Sequence, residues 1–177
     1  MDERTRRSRE RTDEIIVDHA AEYGDFRVRE LLWELSQSEY EAYRERYEAG
    51  AAGGAGVWVT RDDAVLCVRH EDEQAWSEPG GKREPGETFA EAARREANEE
   101  AGVTVSIDGV VEVHAITHVA PEEPPMVSPI VIFEGSHTGG QPRVREADRV
   151  AEVQWFSERP EPVLYDALAD FPMPPES

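Results

Sequence analysis

An α/β sandwich around a mixed sheet, preceded by an N-terminal helical appendage, is the fold class that the sequence predicts. Three observations carry that expectation. Short β-type runs alternate with a helical stretch from about Thr88 to Ala101 that is patterned in small residues. A tight loop built on Pro79, Gly80 and Gly81 precedes that helix, and Ala-Gly-rich residues from Gly50 to Gly56 part it from an N-terminal stretch of helical periodicity. A chain of 177 residues suits one domain with an addition, here 1–52 as tail and appendage and 53–177 as the main domain.

Residues 1–11 alternate Arg with Glu or Asp and hold no bulky apolar side chain beyond Met1, so they read as a frayed, solvated tail. Thr12 is a candidate N-cap for a helix carrying Ile15, Ile16, His19, Ala20 and Tyr23, which Gly24 stops. Val28, Leu31, Leu32 and Leu35 suggest a second helix. Ser38 with Glu41 resembles a capping box opening a third, whose Tyr40, Tyr43 and Tyr47 read as packing surface. Beyond the Gly-rich link, Val57 to Thr60 and Ala64 to Arg69 form a hairpin through Arg61-Asp62-Asp63. The expected remainder is the Thr88 to Ala101 helix, a strand from Val110 to Val119, a Pro-rich loop from Pro121 to Pro129 and a strand from Ile130 to Glu134. A short strand, Val153 to Phe156, and a closing helix from Pro162 to Asp170 complete it.

Composition excludes several classes. No apolar run approaches the length of a membrane span, and the first residues do not resemble a secretory signal. One cysteine, Cys67, permits no internal disulfide and fits a reducing cytoplasm. With 39 acidic and 19 basic residues the net charge is −20, which repels nucleic acid and means that an anionic substrate needs a bridging cation. Lys82 is the one lysine among those 19 basic residues. That imbalance over dense surface acid suggests a halophilic protein, while a GC-rich genome favouring Arg codons is the competing explanation.

Residues 81–103 read GKREPGETFAEAARREANEEAGV. On a helix, Glu96, Glu99 and Glu100 fall within about 100° of arc, beside a small-residue stripe of Ala90, Ala93, Ala97 and Ala101. Three carboxylates so placed repel one another by about 1 to 4 kcal/mol per pair, which a divalent cation relieves; hard oxygens select Mg²⁺ or Mn²⁺. Glu87, nine residues before Glu96, belongs instead to the junction of loop and helix, from which it can still turn inward. Gly102 reads as an αL cap.

Gly81, Glu87, Arg95, Glu96, Glu99, Glu100 and Gly102 together match G-x5-E-x7-R-E-U-x-E-E-x-G-U, with Ala97 and Val103 at the aliphatic positions. At these residues the sequence resembles the Nudix hydrolase family, over about residues 55 to 160. Glu78 departs from the family's usual aliphatic residue before Pro-Gly-Gly, and Ala97 is smaller than usual. The resemblance implies a Nudix-type α/β/α sandwich and hydrolysis of the pyrophosphate linkage in a nucleoside diphosphate derivative. It further implies that Glu96, Glu99 and Glu100 bind metal with the Gly81 carbonyl, and that Glu87 and Arg95 orient loop and helix.

Glu96 or Glu100 is the favoured general base, with Glu146 and Glu152 as other candidates. For substrate contacts the candidates are Arg69, Trp76 and His118, with Trp58 also considered; core packing is the competing role for each Trp, and a solvated strand face the competing one for Glu112, His114 and His118. A Nudix-fold binding or regulatory module without catalysis is the alternative function. The appendage has three open roles: forming a homodimer, covering the active site, or serving as a neutral cap. If the acidic surface is an adaptation to salt, melting temperature and activity are both expected to rise from low to molar KCl. Indifference of both to KCl would favour codon bias.

Overall fold

A computed structural model describes residues 1–144 and 149–175. Among these residues, a seven-stranded mixed sheet carries helices on both faces. The elements run α1 (Glu3–Tyr23), β1 (Arg27–Glu34), α2 (Gln37–Glu48), β2 (Gly54–Arg61), β3 (Ala64–His70), β4 (Gly80–Lys82), α3 (Phe89–Ala101), β5 (Thr104–Val119), β6 (Met126–Gly139) and β7 (Val150–Phe156), then a 3-10 turn at Asp166–Asp170. Strand order is β1-β5-β6-β2-β3-β7, with β4 paired to β2; β1/β5 and β2/β6 are parallel and the other pairs antiparallel.

Alternation along β2 divides the core. Val57 and Val59 face one side, where Ile15 of α1 and Phe89, Ala93, Ala97 and Ala101 of α3 pack on Val113, Val131 and Phe133. Trp58 faces the other, against Cys67, Ile132, Leu168 and Phe171. The alanine stripe does what its size allows: side chains with one carbon let α3 lie close on β2 and β5. Gly102 ends α3 in the αL conformation as the sequence suggests, and Thr88, at the expected start of the helix, is its cap, accepting from the Glu91 N–H.

The N-terminal stretch differs from expectation. Residues 3–11 are helical, continuous with the helix expected from Thr12. They lack apolar side chains, yet Ser8 accepts from the buried Val127 N–H at 3.0 Å and the Thr12 hydroxyl donates to the Val127 carbonyl at 3.4 Å. Ion pairs line the outer face, among them Arg7 with Glu3 and Arg9 with Glu30. Docking by hydroxyls on β6 replaces the hydrophobic burial whose lack suggested a frayed tail.

The second expected helix is instead strand β1. Short apolar runs satisfy either period, and here the backbone groups at the edge of β5 decide, pairing with β1 from Arg27↔Glu112 to Glu34↔Val119. The capping box lies two residues earlier than expected, between Ser36 and Glu39. Gly54 to Gly56 belong to β2 and are not a flexible link, and β6 begins inside the expected Pro-rich loop. Only Asp166–Asp170 of the expected closing helix is helical, as a 3-10 turn.

Ser8→Ala leaves a buried N–H of β6 without a partner and is expected to cost about 1–3 kcal/mol. Arg7→Ala, which removes an exposed ion pair, should cost less than about 1 kcal/mol. Urea unfolding of both variants checks this, and equal effects would argue against hydroxyl docking.

Candidate active site

Close backbone approach sets the position of the loop. A Cβ on Gly80 would lie 2.7 Å from Gly56 Cα and 2.8 Å from the Ala55 carbonyl oxygen, so β4 reaches β2 this closely because position 80 is glycine. The Val57 N–H donates to the Pro79 carbonyl at 3.0 Å and locks the turn. Thus held, Gly80 donates its N–H to Glu100 Oε1 at 2.7 Å. Gly81 adjoins Glu96, whose carboxylate oxygen would lie 2.8 Å from a Cβ there.

Arg95 gathers the remaining acids. It donates from Nε and Nη2 to both oxygens of Glu87 at 2.7 and 3.0 Å, and from Nη1 to Glu96 at 2.9 Å and Glu99 at 3.1 Å. Nη2 also donates to the Lys82 carbonyl, tying helix to loop. Its guanidinium holds the Glu87 carboxyl below the usual range, and these bonds push Arg95 up. Glu100 is buried and lies 3.3 Å from His70 Nε2, whereas Glu99 is the more exposed of the trio.

Among the described residues no three Asp, Glu, His or Cys side chains form a closed cage for a metal ion. The donors nevertheless suit a hard dication that keeps waters or substrate oxygens as ligands: Glu96 fits against Gly81 because no side chain intervenes, and Glu100 stands one residue away on Gly80.

A cavity of about 250 Å³ adjoins this loop. Gly80, Gly81 and Lys82 form part of its wall, and Trp33, Tyr43, Glu78, His118 and Tyr165 line it as well. His118 is fully buried; its Nε2 meets Ser128 Oγ at 2.8 Å, and burial lowers its pKa to about 4, so the ring is neutral at pH 7. Glu112 and His114, on the same face of β5, are buried rather than solvated, with Arg29 and His114 both bonded to Glu112. Tyr43 of α2 lies on His118 and Tyr165 edge-on to His114, while Arg29 reaches Glu112 from the neighbouring strand β1. Glu78 accepts from the Tyr165 hydroxyl at 2.6 Å. Burial pushes its carboxyl up to about 7 against that hydrogen bond, with the Glu112 charge adding to the rise.

Other sequence candidates lie elsewhere. Trp76 packs on Phe156 in the second core cluster, Trp58 is fully buried, and Arg69 bonds Glu152 and the Glu73 carbonyl. Glu146 lies outside the described residues. Sequence reasoning did not single out Trp33, Tyr43, His70, Lys82 or Tyr165 as lining or contacting the site. The unusual Glu78 and the tyrosine stripe of α2 were the available signals.

The family model described as NUDIX domain matches residues 51–167. A Bacillus subtilis (strain 168) protein bearing 8-oxo-dGTP diphosphatase as a provisional name is 30% identical over 105 residues, 59% of this chain and 65% of that protein. A MutT-like protein of Streptomyces ambofaciens is 38% identical over 63 residues, 36% of this chain and 41% of its own length. The chain therefore matches less than two thirds of the length of these curated relatives. Among solved structures, a MutT NUDIX hydrolase from Burkholderia pseudomallei has a TM-score of 0.50 at 26% identity, covering 64% of this chain and 89% of its own. A NUDIX hydrolase from Nitrosomonas europaea has a TM-score of 0.51 at 20% identity, covering 68% and 67%, a likeness of fold alone.

Between the ordinary carboxyl value of 4.5 and about 7, unfolded chains lose the Glu78 proton while folded ones keep it, so stability falls as pH rises through that window. Glu78→Gln keeps an acceptor for Tyr165 without the buried charge. Its stability relative to the parent is expected to rise across that window by up to about 3 kcal/mol, read from urea unfolding between pH 4 and 8. A difference constant with pH would contradict the buried charge.

Proposed function

The chain belongs to the Nudix hydrolases, a family of pyrophosphohydrolases, and from that premise we propose that it hydrolyses the pyrophosphate linkage of a nucleoside diphosphate derivative with Mg²⁺ or Mn²⁺ as cofactor. The observation that supports this reading best is the gathering of four acids around one loop, whose Gly80, Gly81 and Lys82 line the cavity: Glu87, Glu96 and Glu99 on Arg95, and Glu100 on the Gly80 N–H. Glu96, Glu99 and Glu100, with the Gly81 carbonyl, are the residues to hold the ion. The chemistry it supplies there is charge neutralisation at phosphate oxygens and acidification of water.

The chain's own groups do the positioning. Arg95, bidentate on Glu87, fixes the helix against the loop and keeps the Glu87 carboxylate ionised. Lys82, next to Gly81 on the cavity wall, brings an ammonium to an otherwise acidic entrance, where it can face a substrate phosphate. Glu96 or Glu100 serves as general base, since both adjoin the loop that faces the cavity. Glu152 instead pairs with Arg69 on β3. Burial pushes the Cys67 thiol up, which keeps it inert and suits a cytoplasmic enzyme.

A panel of nucleoside diphosphate derivatives, followed by phosphorus NMR with and without Mg²⁺, tests this reading. Hydrolysis is expected only with the ion. Glu96→Gln and Glu100→Gln are each expected to lower kcat by about 10²- to 10⁴-fold, the range for a positioned base. A folded parent that cleaves nothing in the panel would favour a binding module without catalysis.

A further inference from the structure

We propose that the cavity beside Gly80 and Gly81 is a slot for the substrate's nucleobase, and that its aromatic wall, Trp33 of β1 and Tyr43 of α2, comes from the N-terminal segment. This deepens the proposed function and rests on it. Both aromatics lie before residues 51–167, the stretch shared with the family, so base selection in this chain is assigned to a part the family match does not cover.

Register builds the wall. The parallel pairing of β1 with β5 sets Trp33 directly beside His118, edge-on at 5.6 Å between ring centroids. Tyr43 lies nearly flat on the same imidazole, at 4.2 Å and 28°. His118, fully buried and bonded through Nε2 to Ser128, thereby braces two aromatic side chains against the sheet.

Packing alone does not account for this pair. On the same helix, Tyr40 is fully buried and donates its hydroxyl to the Pro124 carbonyl at 2.6 Å, which already anchors α2. Tyr43 stays partly open and Trp33 is 37% exposed, both on the cavity wall. Aliphatic Ile116, Ile130 and Leu164 supply further lining, and the bonded pair Glu78 and Tyr165 gives a polar patch able to meet the N–H edge of a base. Apolar walls with few polar groups suit a flat heteroaromatic ring. Lys82 joins the two parts of the site: it follows Gly81 in the loop, and its Nζ lies 5.8 Å from the Tyr43 ring centroid. A nucleotide can thus set its phosphates at the acid helix and its base at the aromatic wall.

Calorimetric binding of AMP, GMP, CMP and ribose 5-phosphate to the full chain, with Mg²⁺ present, tests the assignment. At least one mononucleotide is expected to bind about tenfold or more tightly than ribose 5-phosphate, the scale of one stacked base. Tyr43→Leu and Trp33→Leu should each erase most of that advantage and leave ribose 5-phosphate binding unchanged, while Tyr43→Phe, which keeps the ring, retains it. Unaltered melting profiles establish that the variants are folded. Equal binding of mononucleotides and ribose 5-phosphate, or equal weakening of both in the variants, overturns the slot. The hydrolase reading is judged separately by turnover of the parent protein: turnover without base-dependent binding sinks only the slot, and base-dependent binding without turnover sinks only the catalysis.

Discussion

The geometry of the candidate site depends on one guanidinium. Arg95 faces three carboxylates and a backbone carbonyl at once, and no other side-chain type offers enough fixed, planar donors to do so. Without it, Glu87 before α3 and Glu96 and Glu99 on α3 would lose the cation that draws them together, in a chain that already carries a charge of −20. The same bonds fasten α3 to the preceding loop, so charge compensation and loop geometry are a single interaction.

That interaction has a steric counterpart. Gly56, Gly80 and Gly81 leave room for β4 to lie on β2 and for Glu96 and Glu100 to lie on β4. A side chain at Gly80 would meet backbone, which cannot yield as the end of a flexible side chain can. Arginine supplies the attraction and glycine the space, and the carboxylates come to rest where both allow.

The N-terminal segment shows how local patterns mislead. Residues 3–11 are too polar to order themselves, yet they are helical because Ser8 and Thr12 bond the Val127 backbone of β6, outside the stretch of that strand paired with β2. Val28, Leu31 and Leu32 fit a helical spacing, yet they form a strand because β5 has an open edge beside them. Arg29 of β1 bonds Glu112, and Trp33 of β1 and Tyr43 of α2 lie against His118, so a strand face that reads as solvated is buried, with His118 on the cavity wall.

The sequence by itself determined the α/β class, the hairpin of β2 and β3, helix α3 with its Gly102 cap, and the set Gly81, Glu87, Arg95, Glu96, Glu99 and Glu100. These are legible because they rest on spacing within one short stretch, where helix period and turn chemistry act locally. Tertiary structure alone decided that Glu78 is buried against Tyr165, that Arg29 reaches Glu112, and that Trp33 and Tyr43 converge on His118. Each of those contacts joins residues far apart in the chain through the register of a parallel strand pair or the docking of a helix, and neither leaves a periodic trace in the sequence.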